Sequence, residues 1–228
     1  PVRRIPVAAA SDAYVIEAAS EAKRQNIAES ILVGDEGKIR QAADSVNVSL
    51  DAVEIVHQPE PIQACAEAAK LVSGGKADIL MKGYVHTDDF LRAVLDREFG
   101  LRTGSIMSHV FVAEMRVWDR LIFISDSAMN IAPDLEQKSA ILLNAVYLAK
   151  LFGVEQPKVA ALAAVELVNP AMPATLDAAA LGTMADRNQY VPGATVDGPF
   201  ALDNAVCPAA AKHKRISGPV AGQADILI

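Results

Sequence analysis

Four segments of this 228-residue chain, each just after a run that reads as a strand, gather residues able to do chemistry. They are Met81-Lys82-Gly83-Tyr84-Val85-His86-Thr87, Ser125-Asp126-Ser127-Ala128-Met129-Asn130, Val165-Glu166-Leu167-Val168-Asn169-Pro170 and Asp197-Gly198-Pro199. Lys82 next to Gly83 suits an oxyanion such as phosphate, because glycine permits close backbone approach and lysine supplies a point charge. The plain alternative is a solvent-facing turn lysine with Thr87 capping the following helix, where Asp88 and Asp89 complement the helix dipole and repel a bound anion. His86 and the pair Ser108-His109 are the matching polar partners, since a neutral imidazole donates to a carbonyl or phosphate and titrates near neutral pH; a structural histidine is the other reading. Asp126 and Asn130 bracket a loop in which short polar side chains bind substrate or simply make the turn. Asp197 is a general base, a hydroxyl acceptor or a carboxylate helix cap, with Asp203 one turn into the next helix, and the residues alone favour the cap. Lys212-His213-Lys214-Arg215 reads as a solvated basic helix end, with contact to a nucleotide phosphate as the alternative. His57 and His213 receive no site role, and no spacing of His, Cys, Asp and Glu suggests a metal. Neither GxGxxG nor GxxxxGK[ST] occurs, which disfavours an ordinary dinucleotide or nucleoside-triphosphate enzyme.

The elements that must position these residues alternate. Ile5–Ala10, Ser30–Val33, Val53–Val56 and Asp78–Met81 read as strands. Each is followed by a helix: one capped at Ser11-Asp12 and running to Gln25, one beyond Gly34, one over Pro61–Val72 and one over Thr87–Arg97. Four strand–helix units with continuous apolar strands predict a parallel sheet covered on both faces. Near Gly100–Gly104 the rhythm changes, which places a boundary between domains 1–104 and 105–228. Strands Ser108–Ala113 and Leu121–Ser125 have only a short connection, so they pair antiparallel. Beyond them the pattern predicts a helix over Pro133–Phe152, a strand over Val159–Val165 and a helix over Thr175–Ala185. A strand Ala194–Val196, one helix over Ala201–Lys214 and a last strand Ala224–Ile228 follow. With 52% hydrophobic residues but only 5% aromatic ones, the core is built from Ala, Val, Leu and Ile. A net charge of −7 argues against nucleic acid or an anionic membrane as partner, so an anionic substrate needs a local cluster of donors. Cys65 and Cys207 form no disulfide framework or zinc spacing, and no run approaches a membrane span or a signal peptide. The expectation is a cytoplasmic protein.

In order and wording, these segments resemble the phosphate acetyltransferase and phosphate butyryltransferase family. The resemblance is carried by Ile31-Leu32-Val33-Gly34-Asp35, Lys82 to Thr87 with Leu91-Arg92, Gly100-Leu101-Arg102-Thr103-Gly104 leading to Ser108-His109-Val110, and Ser125-Asp126 with Asn130 and Pro133. It continues through Pro157-Lys158-Val159-Ala160, Val165-Glu166 with Asn169-Pro170, Met172-Pro173-Ala174-Thr175, Asp197-Gly198-Pro199 with Leu202-Asp203, and Pro219-Val220-Ala221-Gly222. The wording is closer to the butyryltransferase branch, and to the transferase half of proteins that carry an enoyl-CoA hydratase domain in front.

The resemblance implies a two-domain α/β/α architecture of the isopropylmalate-dehydrogenase type with the active site in the interdomain cleft. It implies the reaction acyl-CoA + phosphate = acyl phosphate + coenzyme A, with no metal, no permanently bound cofactor and a homodimeric assembly. Lys82, Arg102 and the Gly83 backbone are then candidates to hold the anion. His86, Ser108, His109 and Asn130 are the catalytic candidates that orient the carbonyl. Asp126 and Asp197 position substrate, with Thr87, Gly198 and Asp203 in the same binding set. Family chains continue past the last strand with a segment that completes the first domain, and the Ser, Arg and Asp credited with catalysis in the acetyltransferase branch lie there. No residue here inherits those roles. The competing expectations are a non-catalytic module that binds coenzyme A or phosphate, and another enzyme on the same scaffold, an acyl carrier protein:phosphate acyltransferase or a decarboxylating dehydrogenase.

Overall fold

A computed structural model describes residues 2–116, 118–189 and 193–228, which divide into two units, Pro1–Gly104 and Ser105–Ile228.

The first unit runs β1 (Arg3–Ala8), α1 (Ala13–Arg24), β2 (Ala28–Gly34), α2 (Glu36–Ser45), β3 (Glu54–His57), α3 (Pro61–Ser73), β4 (Met81–Lys82) and α4 (Thr87–Val94). Its sheet has the order β3-β2-β1-β4 with every pairing parallel. Strand alternation sends Val7 and Leu32 to one face, against Ile16 of α1 and Ile39 and Ala43 of α2. Ala8, Ile31 and Val33 go to the other face, against Ala64, Cys65, Ala68 and Ala69 of α3. The small residues of α3 let that helix lie close to the sheet, and each fully buried Leu, Ile or Val contributes about 1.5–3 kcal/mol. Helix starts follow the sequence signals: the Asp12 carboxylate accepts from Tyr14 and Val15 N–H, Asp35 accepts from Lys38 N–H, and Pro61 opens α3.

The second unit runs β5 (Phe111–Glu114), β6 (Leu121–Ile124), α5 (Leu135–Leu151), β7 (Lys158–Leu162), α6 (Pro173–Asp186), β8 (Thr195–Phe200), α7 (Leu202–Val206), α8 (Pro208–His213) and β9 (Ile226–Leu227). The order is β5-β6-β9-β7-β8; β5 and β6 are antiparallel and the remaining pairs parallel. Phe123, Val159, Val196 and Ile226 pack on α5 and α6, while Ile122, Ala160, Phe200 and Leu227 face α7 and α8.

Several element bounds differ from expectation: the strand expected from Ser108 begins at Phe111, the one expected to reach Val165 ends at Leu162, and α4 stops at Val94; four further changes have a clear local cause. Strand β4 ends on Lys82 itself, so that lysine belongs to the strand, and His86 rather than Thr87 occupies the N-cap of α4 without a side-chain cap bond. Helix α5 begins at Leu135, because Asp134 and Gln137 form a reciprocal capping box just after Pro133. The single helix over 201–214 is two, since Cys207 precedes Pro208 and is held extended at φ −117°, ψ 113°. Strand β8 runs through Asp197-Gly198-Pro199 to Phe200, so Asp197 is a strand residue and caps no helix. Proline is tolerated there because β8 is an edge strand that pairs with β7 alone. Gly198 is required by packing, for a Cβ would lie 2.7 Å from Ala161 O.

Candidate active site

In the first unit, β1 is flanked by β2 on one side and β4 on the other, a switch in strand order of the kind beside which open α/β sheets bind ligands. The turn after β4 carries Gly83 to Thr87. Gly83 N–H donates to Ala8 O at 2.8 Å and Tyr84 N–H to Ala9 O at 3.0 Å, so the Gly83 amide is engaged within the sheet and is not open to an anion. The glycine serves close packing instead: a Cβ would stand 2.5 Å from Ala8 O. The exposed Lys82 ammonium donates to Val85 O at 2.9 Å, folding over its own turn with further donor capacity left. His86 and Thr87 are exposed at the start of α4. Arg102 is exposed and lines an open groove with Arg92 and Arg97, to which Asp88, Asp96 and Glu98 bring an equal number of negative charges. Cys65 is buried, and burial first, then the charge of Asp89, pushes its thiol up against the opposing effect of Lys82. A thiol so raised stays protonated at neutral pH and is a packing residue, not a nucleophile.

In the second unit, Ser108, His109, Asp126 and Asn130 are brought together by one hydrogen-bonded loop. Asp126 Oδ1 accepts from Ala128 and Met129 N–H, each at 2.9 Å, and Oδ2 accepts from His109 N–H at 3.2 Å and from Asn130 Nδ2 at 2.6 Å. Burial alone would raise this carboxyl, but the N–H groups of Ala128 and Met129, the Asn130 amide and His109 N–H together hold it below the usual carboxylate range. Asp126 is therefore ionised at neutral pH with both oxygens occupied, which makes it the organiser of the loop. Ser125 adds a second tie, its Oγ donating to His109 O at 2.8 Å.

Asn130 Nδ2 also donates to Met107 O at 3.0 Å, so both amide protons are taken and only Oδ1 is open. A flipped amide would set its oxygen against a carboxylate and a carbonyl, so the orientation is fixed. Asn130 thus offers an acceptor and cannot donate to an acyl carbonyl. Ser108 does the reverse. Its Oγ accepts from Asn144 Nδ2 at 2.9 Å, and the same amide donates to Ile106 O at 3.1 Å, which leaves the Ser108 proton free for an incoming oxygen. His109 packs edge-on against Phe111 with ring centroids 4.3 Å apart, and its Nδ1 is buried without a partner.

Asp197 and Gly198 lie on β8 and Asp203 on α7, and their hydrogen bonds are made locally rather than to that loop. Asp197 Oδ1 accepts from Gly198 N–H at 2.8 Å, so the Gly198 amide serves the carboxylate rather than a substrate. Burial, assisted by Asp186 and opposed by the Gly198 N–H, pushes the Asp197 carboxyl above its ordinary value, as suits a general base. Asp203 accepts from Lys214 Nζ at 3.1 Å, and Lys214 also reaches Glu166 at 3.4 Å. That lysine ties the basic tail of α8 to two carboxylates. Asn144 escaped the sequence reading, although an amide inside the otherwise apolar stretch 140–146 was a signal.

The family described as phosphate acetyl/butaryl transferase matches residues 2–67 and 61–228. A phosphate butyryltransferase of Clostridium beijerinckii is 49% identical over 228 residues, all of this chain and 75% of that protein. A phosphate acetyltransferase of Thermotoga maritima is 44% identical over 226 residues, 99% of this chain and 76% of that protein. Among solved structures, a branched-chain phosphotransacylase from Enterococcus faecalis superposes with a TM-score of 0.85 at 31% identity, covering 99% of this chain and 78% of that one.

Proposed function

This chain belongs to the phosphate acetyl/butaryl transferase family, and on that premise we propose that it moves a short acyl group between coenzyme A and inorganic phosphate. The observation that carries this reading is the family match over essentially the whole chain, with identities in the forties to both named branches. A phosphate oxygen attacks the thioester carbonyl, the tetrahedral oxyanion collapses, the C–S bond breaks and the thiolate leaves as coenzyme A after taking a proton. The reverse reaction needs that proton removed from the thiol. Such chemistry requires a donor for the oxyanion, cations for the phosphate and a base of tuned pKa.

Ser108 is the oxyanion donor, since its proton is uncommitted while Asn144 holds its oxygen. Asp126 and Asn130 keep the surrounding loop in shape, and Asn130 Oδ1 is available to an N–H of the substrate. His109 lies beside Ser108 and His86 and Thr87 beside Lys82, as further contacts. Lys82 and Arg102 are the proposed cations for the phosphate. Asp197, with its raised carboxyl, exchanges the thiol proton, and the exposed Asp203–Lys214 pair marks the same strand-to-helix corner. Two finer readings belong to this proposal. One is the isopropylmalate-dehydrogenase type of architecture, supported by two separate α/β units. The other is a homodimer, supported by the exposed stripe Leu143, Tyr147 and Leu151 on one face of α5. Among the described residues no helix is long and apolar enough to cross a membrane, and the proposed setting is the cytoplasm.

The test is thioester formation from acyl phosphate and coenzyme A by the purified protein. The expected result is acyl-CoA from acetyl or butyryl phosphate; formation of neither contradicts the reading. Lys82→Ala is expected to raise the KM for phosphate by the equivalent of about 1.5–3 kcal/mol, the worth of one charge-assisted hydrogen bond. An unchanged KM removes Lys82 from the site.

A further inference from the structure

In the first unit a cavity of about 290 Å³ lies between α1 and the link from α2 to β3, where β1, β2 and β3 begin. This is the edge of the sheet opposite the Lys82-Gly83 turn. Helix α1 lines the cavity with Ile16, Ala19, Ser20 and Lys23, whose spacing puts all four on one helix face. That face grades from apolar to hydroxyl to ammonium along its length. Ile16 is 1% exposed, as is Leu32 of β2, and Val48, Leu50 and Val53 of the link complete the same apolar cluster. An apolar cavity of about 150 Å³ holds a benzene ring, so this one has room for a ring with a short alkyl arm.

Charge sets the chemical class of a ligand. Arg4 lies in the wall, but its guanidinium is engaged by Glu54 and, at 2.8 Å, by Lys76 O. Strand alternation turns Glu29 to the Ile31 face of the sheet, away from α1, and Ser30 to the Leu32 face, toward it. Lys23 makes no ion pair among the described residues. Its ammonium donates to Ala52 O at 3.2 Å and keeps further donor capacity. Ser20, three residues before Lys23, and Ser30 add hydroxyls that no hydrogen bond among the described residues engages. The last turn of a helix favours a lysine in any case, but that preference does not account for an open cavity with an apolar floor beneath it. From these contacts we propose that the cavity is a binding site for a small monocarboxylate with an apolar body. The body lies on Ile16 and Leu32, and the carboxylate meets Lys23 and Ser20. A cationic group in that place would face the charge of Lys23, and a neutral one would forgo it. The site is argued independently of acyl transfer.

The experiment titrates the purified protein by calorimetry at neutral pH with phenylacetate, phenylethanol and phenylethylamine, three probes that share an apolar body and differ in charge. Phenylacetate is expected to bind roughly tenfold more tightly than phenylethanol, the effect of one charge-assisted hydrogen bond, and phenylethylamine most weakly. Lys23→Gln keeps a donor for Ala52 O and removes the charge. It is expected to weaken phenylacetate by roughly tenfold and to leave phenylethanol within about twofold. Ala19→Leu occupies part of the cavity from α1 and is expected to weaken both by roughly tenfold or more, with the melting temperature held. No binding of phenylacetate to the unaltered protein, an amine bound as tightly as the carboxylate, or an affinity that neither variant changes overturns the inference. The readout is binding, so each of these outcomes leaves the acyl-transfer reading standing.

Discussion

Asp126 does more for the loop around it than any other side chain, and its chemistry makes that testable through pH. Because its folded pKa lies below the ordinary value, it contributes stability that is present above that value and is lost as pH falls through the depressed folded one. Asp126→Asn is expected to cost about 1.5–3 kcal/mol at neutral pH and much less near pH 3, read from urea midpoints at the two pH values. Asp197 has the opposite sign. Its carboxyl is raised by burial, so stability declines as pH rises from the ordinary carboxylate value through the raised one, and Asp197→Asn is expected to flatten that decline. Ser108→Ala removes the free donor and is expected to lower kcat about a hundredfold, whereas Asn144→Ala, which only releases the serine, costs less. Residue types pointed to Ser108, Asp126 and Asn130, but not to what each can still do. Whether an Asn130 proton is free depends on Met107 O and Asp126, partners set by folding and invisible in spacing.

Periodicity carried the elements furthest. Continuous apolar strands separated by Ala-rich helices gave the parallel sheets, and the short link after Glu114 gave the antiparallel β5–β6 pair. It failed where glycine and proline took roles other than turns. Gly198-Pro199 reads as the opening of a helix, yet β8 continues through it with a shift in its register against β7, where an edge strand that needs donors on one side only tolerates the proline. Pro208 lay inside an apparent helix and divided it, a break that the restriction on Cys207 explains. Gly83 looked like a phosphate-approach glycine and proves to be the point where β4 docks on β1. Gly83→Ala is accordingly expected to destabilise by about 1–3 kcal/mol or more, through a Cβ forced against Ala8 O and Ala9 O. A thermal melt checks it; an unshifted Tm with a raised phosphate KM would restore the ligand role.

Composition at the scale of the whole molecule argues against nucleic acid and anionic membranes as partners without naming a reaction. A net charge of −7 gives no reason to expect a broad positive field, so the proposed phosphate recognition needs a local cluster of donors, for which Lys82 and Arg102 are the proposed residues. The apolar stripe on α5 carries the assembly prediction: Tyr147→Glu is expected to shift the protein from dimer to monomer by sedimentation velocity, and a dimer that withstands it moves the interface elsewhere. The reaction itself came from the wording of the sequence, because fold alone is shared by unrelated chemistries. Its most direct test follows free thiol released from butyryl- and acetyl-CoA with and without phosphate, and measures acyl phosphate in the same samples. Thiol release that depends on phosphate, with one acyl phosphate formed per thiol, is the expected result; release independent of phosphate, or none with either ester, contradicts acyl transfer to phosphate.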